Sequence, residues 1–270
     1  MTHANSATVI GMVHFSPLEG DPAFPGKQLV RERAEQDLAA LLTGGVDVVM
    51  FENNFDDPKF AELPPTQAAH FEELVRELVA MLTIPWGICA LWNDYKLGFQ
   101  LCQKYGGTMV RVPVFVDSVE TVYGTFFADP VRVIQTRKEL RAEDIKLLAD
   151  VQVKHAKILN PRPLPESIQE ALTAGADAII ITGNWTGDPP SVAMVKEAKE
   201  TCPQAHILIG SGMTPQNIKD FIPYIDGCIV GTAFKEMVGE KKLTGPNIVG
   251  SEVRYSLERI SAFVAAAHEA

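Results

Sequence analysis

Ile207-Leu208-Ile209-Gly210-Ser211-Gly212-Met213-Thr214-Pro215 is an apolar run that breaks into a turn of small residues and then into a helix start. The run reads as a buried strand, and the small residues let backbone N–H groups face outward with no side chain in the way. A second run, Cys228-Ile229-Val230, ends in the same manner at Gly231-Thr232. What decides the fold is the place of these two strands in the series. Earlier strands are read at 8–14, 46–52, 86–91, 108–112, 149–154 and 178–182, so that 206–210 and 228–231 are the seventh and eighth. Between strands, Val30, Ala34, Leu38 and Leu41 recur at helical spacing, as do Phe71, Leu74, Val75, Leu78, Val79 and Leu82. Alternating strands and helices predict a parallel sheet. A doubly wound open sheet usually carries its glycine turn after the first strand, whereas here the turns follow the last two. The pattern therefore predicts a (β/α)₈ TIM barrel with an anion cradle on its seventh and eighth loops.

The chain has 270 residues, close to the usual size of one such barrel, and no linker-like composition shift divides it. One barrel domain over 1–270 is expected, with long loops near 16–26, 113–140 and 234–250, the second holding a helix of its own. Ser251 is a candidate cap for the last helix. A net charge of −10 argues against nucleic acid held by bulk electrostatics. The four cysteines are widely spaced without CxxC pairing and read as reduced thiols. No apolar window approaches the ~18 residues of a membrane span, and the N-terminus lacks a signal-peptide pattern, so the expected location is the cytoplasm. Exposed helices leave a homo-oligomer open.

In a barrel, polar residues at the carboxyl ends of strands converge on one mouth. His14 ends the first strand, Glu52 the second, Asn93 and Asp94 follow the third, and Arg111 ends the fourth with Asp117 beyond it. The fifth delivers Lys154 and His155, and the sixth Thr182, Gly183, Thr186 and Gly187. Glu52 follows Val48-Val49-Met50-Phe51, and a carboxylate entering a core must be paired, protonated or metal-bound. Arg111 needs an acidic partner such as Glu52 or Asp94, or an anionic ligand. Lys154, desolvated, can serve as a base or Schiff-base nucleophile or can pair with a carboxylate. Each residue also has a plainer reading: His14 as a core or cap histidine, Asn53-Asn54 with Asp56-Asp57-Pro58 as a turn, Asp94 as a helix cap.

Taken together, Gly11-Met12-Val13-His14, Glu52-Asn53, Asn93-Asp94, Arg111-Val112, Val153-Lys154-His155-Ala156, Thr182-Gly183, Gly210-Ser211-Gly212 and Ile229-Val230-Gly231-Thr232-Ala233-Phe234-Lys235 resemble the BtpA/SgcQ family. The resemblance runs from about 9 to 236. Phe15-Ser16 and Glu236-Met237-Val238-Gly239 depart from the pattern, the latter making the eighth loop the least transferable part. The resemblance implies a fold similar to phosphate-binding barrels. It also implies an enzyme on a small phosphorylated sugar or nucleoside-like compound: an isomerase, epimerase or aldol-type lyase. Glu52, Asp94, Arg111, Lys154 and His155 are the expected catalytic groups. His14, Asn93, Asp117, Thr182, Gly183, Thr186, Gly187, Gly210, Ser211, Gly212, Gly231 and Thr232 are the expected ligand contacts. A metal-dependent hydrolase using His14, Glu52, Asp94, Asp117 and His155 around a divalent ion is one alternative. A non-enzymatic assembly factor is the other, since the family takes its name from a member needed for photosystem I accumulation.

Overall fold

The computed structural model describes residues 6–236 and 250–268. Its centre is a closed barrel of eight parallel strands: β1 (Thr8–His14), β2 (Val48–Glu52), β3 (Trp86–Cys89), β4 (Met109–Val112), β7 (Lys146–Val151), β9 (Ala178–Ile181), β10 (Ile207–Ile209) and β11 (Gly227–Val230). β1 closes the ring by pairing with both β2 and β11. The remaining strands, β5 (Val119–Thr121), β6 (Gly124–Phe126) and β8 (Lys157–Ile158), form a separate antiparallel sheet. Around the barrel run α1 (Lys27–Gly44), α2 (Pro65–Leu78), α3 (Tyr95–Tyr105), α4 (Pro130–Glu139), α5 (Leu164–Ala174), α6 (Val192–Thr201), the short α7 (Ile218–Phe221) and α8 (Leu257–His268). Of the stripes read from the sequence, Val30, Ala34, Leu38 and Leu41 are buried on α1 and Phe71, Leu74, Val75 and Leu78 on α2, whereas Val79 and Leu82 lie beyond the end of α2 and are only partly buried.

Strand alternation sorts the side chains into two cores. Val9 and Val13 of β1 pack outward against the helices, while Ile10 and Met12 join Val48, Met50, Met109, Leu148, Ile180, Leu208 and Ile229 inside the barrel. Two residues further along the inward series of each strand come His14, Glu52, Arg111, Asp150, Thr182, Gly210 and Gly231. The barrel is thus apolar below and largely polar in the layer at its carboxyl end, to which seven of the eight strands contribute these residues and β3 contributes Leu91.

Three expectations shift. The fifth strand lies at Lys146–Val151 rather than 149–154, so Lys154 and His155 belong to the turn beyond it, where Gln152 and His155 have φ of 51 and 61. The 113–140 connection holds the β5–β6 hairpin as well as its expected helix, α4. Ser251 lies well before α8, and it is the Ser256 hydroxyl that accepts from the Arg259 amide near the helix start, at 3.4 Å. Of the 234–250 loop, residues 237–249 lie outside the described residues. All four cysteines are free and buried.

Candidate active site

Because His14 and Glu52 occupy paired positions on β1 and β2, their side chains meet: His14 Nε2 is 3.2 Å from Glu52 Oε2. Glu52 Oε1 faces Arg111 Nη1 at 3.9 Å. Arg111 in turn makes a two-pronged pair with Asp150, Nε to Oδ1 and Nη2 to Oδ2, both 2.8 Å. These four charged or polar groups form a continuous chain across the upper barrel, His14–Glu52–Arg111–Asp150. Of the two partners proposed for Arg111, Glu52 is near it and Asp94 is not. Asp150, its closest partner, escaped the sequence reading.

Burial acts to raise the Glu52 pKa, but the His14 hydrogen bond and the Arg111 charge oppose it and hold the carboxyl below its usual range. Burial lowers the His14 pKa, with the Glu52 bond opposing. A neutral imidazole beside a carboxylate donates from Nε2 to Glu52, which leaves Nδ1 as the basic nitrogen. Glu52 therefore holds His14 in place and is not itself free to exchange protons near neutral pH.

Lys154 Nζ donates to the Gly210 carbonyl at 3.3 Å, and its amide donates to Thr182 Oγ1 at 3.1 Å. Burial, reinforced by the Arg111 charge, lowers its pKa to about 8. The His155 ring meets Thr186 Oγ1 through Nε2 at 2.8 Å and lies 5.5 Å from the Trp185 ring. Burial and the charges of Lys154 and Lys59 lower its pKa to about 4, so it is neutral near pH 7 and a poor proton donor there. Of the groups expected to exchange protons, Glu52 and Lys154 or His155, only Lys154 has a pKa close to neutrality.

The glycine turns close the other side. Gly212 has φ of 73, and a Cβ there would overlap the backbone of Asp188 and Pro189. A Cβ on Gly231 would press on His14 Cε1 at 2.5 Å. Ser211 does not offer its hydroxyl to the mouth: Oγ accepts from the Gly183 amide at 3.0 Å and donates to the Asp188 carbonyl at 2.9 Å, tying two loops together. The amides of Ser211, Gly212 and Thr232 have no acceptor among the described residues, and Thr232 opens a one-turn 3₁₀ helix ending at Phe234.

These groups border a cavity of about 350 Å³ that reaches His14, Glu52, Arg111, Lys154, His155, Thr186, Gly187 and both glycine turns. Thr182 and Gly183 stand behind its wall. Asn93, Asp94 and Asp117 do not line it either, and each has local work. Both Asn93 amide atoms bond the Val114 backbone. Asp94 caps α3 through the Leu97 amide and also accepts from Leu63. Asp117 receives Arg162, Ser167 and the Gln152 amide. The five residues weighed as metal ligands consequently do not converge, and no group of three or more His, Cys, Asp or Glu suited to a metal occurs among the described residues.

Lys59, Lys235 and Arg259 also border the cavity. Lys59 donates to the Asn54 and Asp56 carbonyls at 2.9 and 2.7 Å. The nearly buried Lys235 lies 4.6 Å over the Phe55 ring, donates to the Gly250 carbonyl at 3.4 Å, and has a pKa lowered by burial to about 8. Lys59 sits in the segment dismissed as a turn. Lys235 closes the last motif quoted from the sequence but was not chosen.

A family model described as the BtpA family matches residues 5–244. The photosystem I biogenesis protein BtpA of Synechocystis sp. (strain PCC 6803) is 33% identical over 84% of this chain and 80% of its own length. The sgc region protein SgcQ of Escherichia coli (strain K12) is 29% identical over 84% of this chain and 86% of its own. Among solved structures, (S)-3-O-geranylgeranylglyceryl phosphate synthase from Thermoplasma acidophilum, in complex with sn-glycerol-1-phosphate, superposes with a TM-score of 0.60 at 12% identity, covering 98% of this chain and 95% of that one. That likeness concerns the barrel fold.

Proposed function

The chain belongs to the BtpA family, and from that premise we propose that it is an enzyme acting on a small phosphorylated compound by proton transfer at a carbon next to a carbonyl. One observation carries the reading. Lys59, Lys154 and Lys235 border the same cavity; their hydrogen bonds go to backbone carbonyls, Lys59 and Lys235 also lie over aromatic rings, and none has a carboxylate within 4 Å among the described residues. Withdrawing an ammonium group from water without a counter-ion is unfavourable, and an anionic ligand supplies the missing charge. The amides of Ser211, Gly212 and Thr232 are the place for a phosphate, since unbonded N–H groups at a turn and a helix start favour an anion.

With the phosphate anchored there, His14 Nδ1, held by Glu52, is the base. Lys154 is the second proton carrier. Where the ligand has a ketone or aldehyde, its free amine can add to the carbonyl carbon and lose water to give an imine, which acidifies the neighbouring C–H. Isomerase, epimerase and aldol-type lyase share this step. Arg111, engaged by Asp150 and Glu52, positions Glu52 and keeps it ionised. Melting curves with paired phosphorylated and unphosphorylated sugars test the proposal. Phosphorylated members should raise the melting temperature, and Thr232→Asp, which sets a carboxylate at the same turn, should abolish the rise without unfolding the protein. Equal shifts from both members of each pair would reject it.

The name of the cyanobacterial relative favours a second reading, assembly of a photosystem-like complex. It makes the mouth dispensable. A Glu52→Gln, Lys154→Met double variant that is folded and retains the cellular role would support it over the enzyme.

A further inference from the structure

The sheet β6-β5-β8 is explained neither by the barrel nor by the phosphate cradle. Its hairpin rises from the loop after β4, and β8 joins it from the loop after β7. It covers an apolar cluster of its own, Trp92, Val114, Val119, Phe126 and Val153, separate from the helix-facing core. In the closed ring β4 stands opposite β11 and β3 opposite β10. Trp92, just after β3, and the hairpin after β4 therefore face the glycine turns across the mouth.

Trp92, Val122 and Tyr123 line the same cavity as Gly210 and Thr232. Val122, at the hairpin tip, is 88% exposed and adds an apolar side chain to the cavity rim. The Trp92 ring is backed by Phe126 at 5.6 Å between centroids, yet its Nε1–H is buried with no acceptor among the described residues. Buried donors in folded proteins are nearly always satisfied, and this one, closed to water in a residue that lines the cavity, needs a small shift of the indole to meet an acceptor from outside the chain. A bare sugar phosphate would set hydroxyls against this wall and leave it unfilled.

We propose that the ligand's end remote from the phosphate is a planar ring bearing a hydrogen-bond acceptor, held on the wall formed by Trp92, Tyr123 and Val122. The ligand class is then a nucleotide-like or aryl-glycosyl phosphate. The ring is taken up by stacking and burial against aromatic faces, and its acceptor by Trp92 Nε1. This assignment rests on the phosphate reading for the position of the other end.

Calorimetric titration tests it with five probes: ribose 5-phosphate, hexyl phosphate, adenosine and the 5′-monophosphates of adenosine and uridine. At least one monophosphate should bind tenfold or more tighter than ribose 5-phosphate and hexyl phosphate. Trp92→Phe, which keeps the ring and removes the N–H, should erase most of that gain while leaving ribose 5-phosphate unchanged. Val122→Asp provides the same test should Trp92→Phe not fold. Ribose 5-phosphate or hexyl phosphate binding as tightly as both monophosphates would overturn the ring assignment and leave the phosphate cradle standing. Adenosine binding where ribose 5-phosphate does not would overturn the cradle and support the ring. Binding by none of the five would overturn both.

Discussion

Lys154 is buried at a cost to stability whenever its ammonium group is charged. Its folded pKa of about 8 lies below the 10.5 of a free lysine, so the folded chain releases this proton before the unfolded chain does. The sign follows: below pH 8 both states carry the charge and the fold bears the full desolvation penalty, and between about pH 8 and 10.5 the penalty disappears. Lys154→Met should therefore melt roughly 2–6 °C above the wild type at pH 7, with the gap shrinking towards pH 10.5. Activity should fall at least ~100-fold in the same variant, and in the wild type it should rise through pH 8 as the free amine forms. Thermal melts and pH–rate profiles check both; a less stable Lys154→Met protein at pH 7 would contradict the account. Asp150 illustrates the opposite balance. It is 1% exposed and gives Arg111 its two short bonds. Asp150→Asn should destabilise the fold by about 3–5 kcal/mol in denaturant titrations, because the Arg111 charge would remain buried with only Glu52 at 3.9 Å.

At the level of strands and helices, the sequence reading failed at Asp150 for a definable reason. With the fifth strand placed at 149–154, Asp150 looks like a strand interior and Lys154 like the strand end. With the strand at Lys146–Val151, Leu148 and Asp150 are successive inward residues, and Asp150 enters the same polar layer as Arg111 on the paired strand β4. The signal was present as an aspartate in an apolar run near an arginine in another, but boundaries drawn from apolar runs alone do not fix the register. Asp94 shows the reverse: one carboxylate oxygen caps α3 through the Leu97 amide, as its plain reading has it, and the other accepts from the Leu63 amide. Asp94→Ala should cost about 0.5–2 kcal/mol of stability through the lost cap on α3 and leave ligand affinity and turnover unchanged. A selective loss of turnover would restore Asp94 to the chemistry.

For the whole molecule, strand–helix alternation and the placement of two glycine turns made the barrel legible, since both patterns are written in local sequence. The mouth was legible only in part. His14, Glu52, Arg111 and Lys154 could be found because charged or polar residues stood at the ends of apolar strands. Lys59 was hidden in a loop whose own carbonyls hold it, and the wall around Trp92 depends on a sheet of two- and three-residue strands assembled from two distant loops. The C-terminal segment is likewise tied down by contacts no local pattern announces: Tyr255 donates to the Met12 carbonyl at 2.6 Å, and Arg254 pairs with Asp37 at 2.7 Å. Long-range contacts of this kind turn a recognisable barrel into a particular site. No helix among the described residues is long and apolar enough to cross a membrane.

The central claim is that this mouth was built to anchor a phosphate on the turns after β10 and β11. A crystal soaked in tungstate, a heavy oxyanion of phosphate's shape and charge, tests it most directly through anomalous diffraction. The account predicts a peak within hydrogen-bond reach of the Ser211, Gly212 and Thr232 amides, lost in Thr232→Asp crystals. An empty cradle, with tungstate bound only elsewhere on the surface, would contradict it.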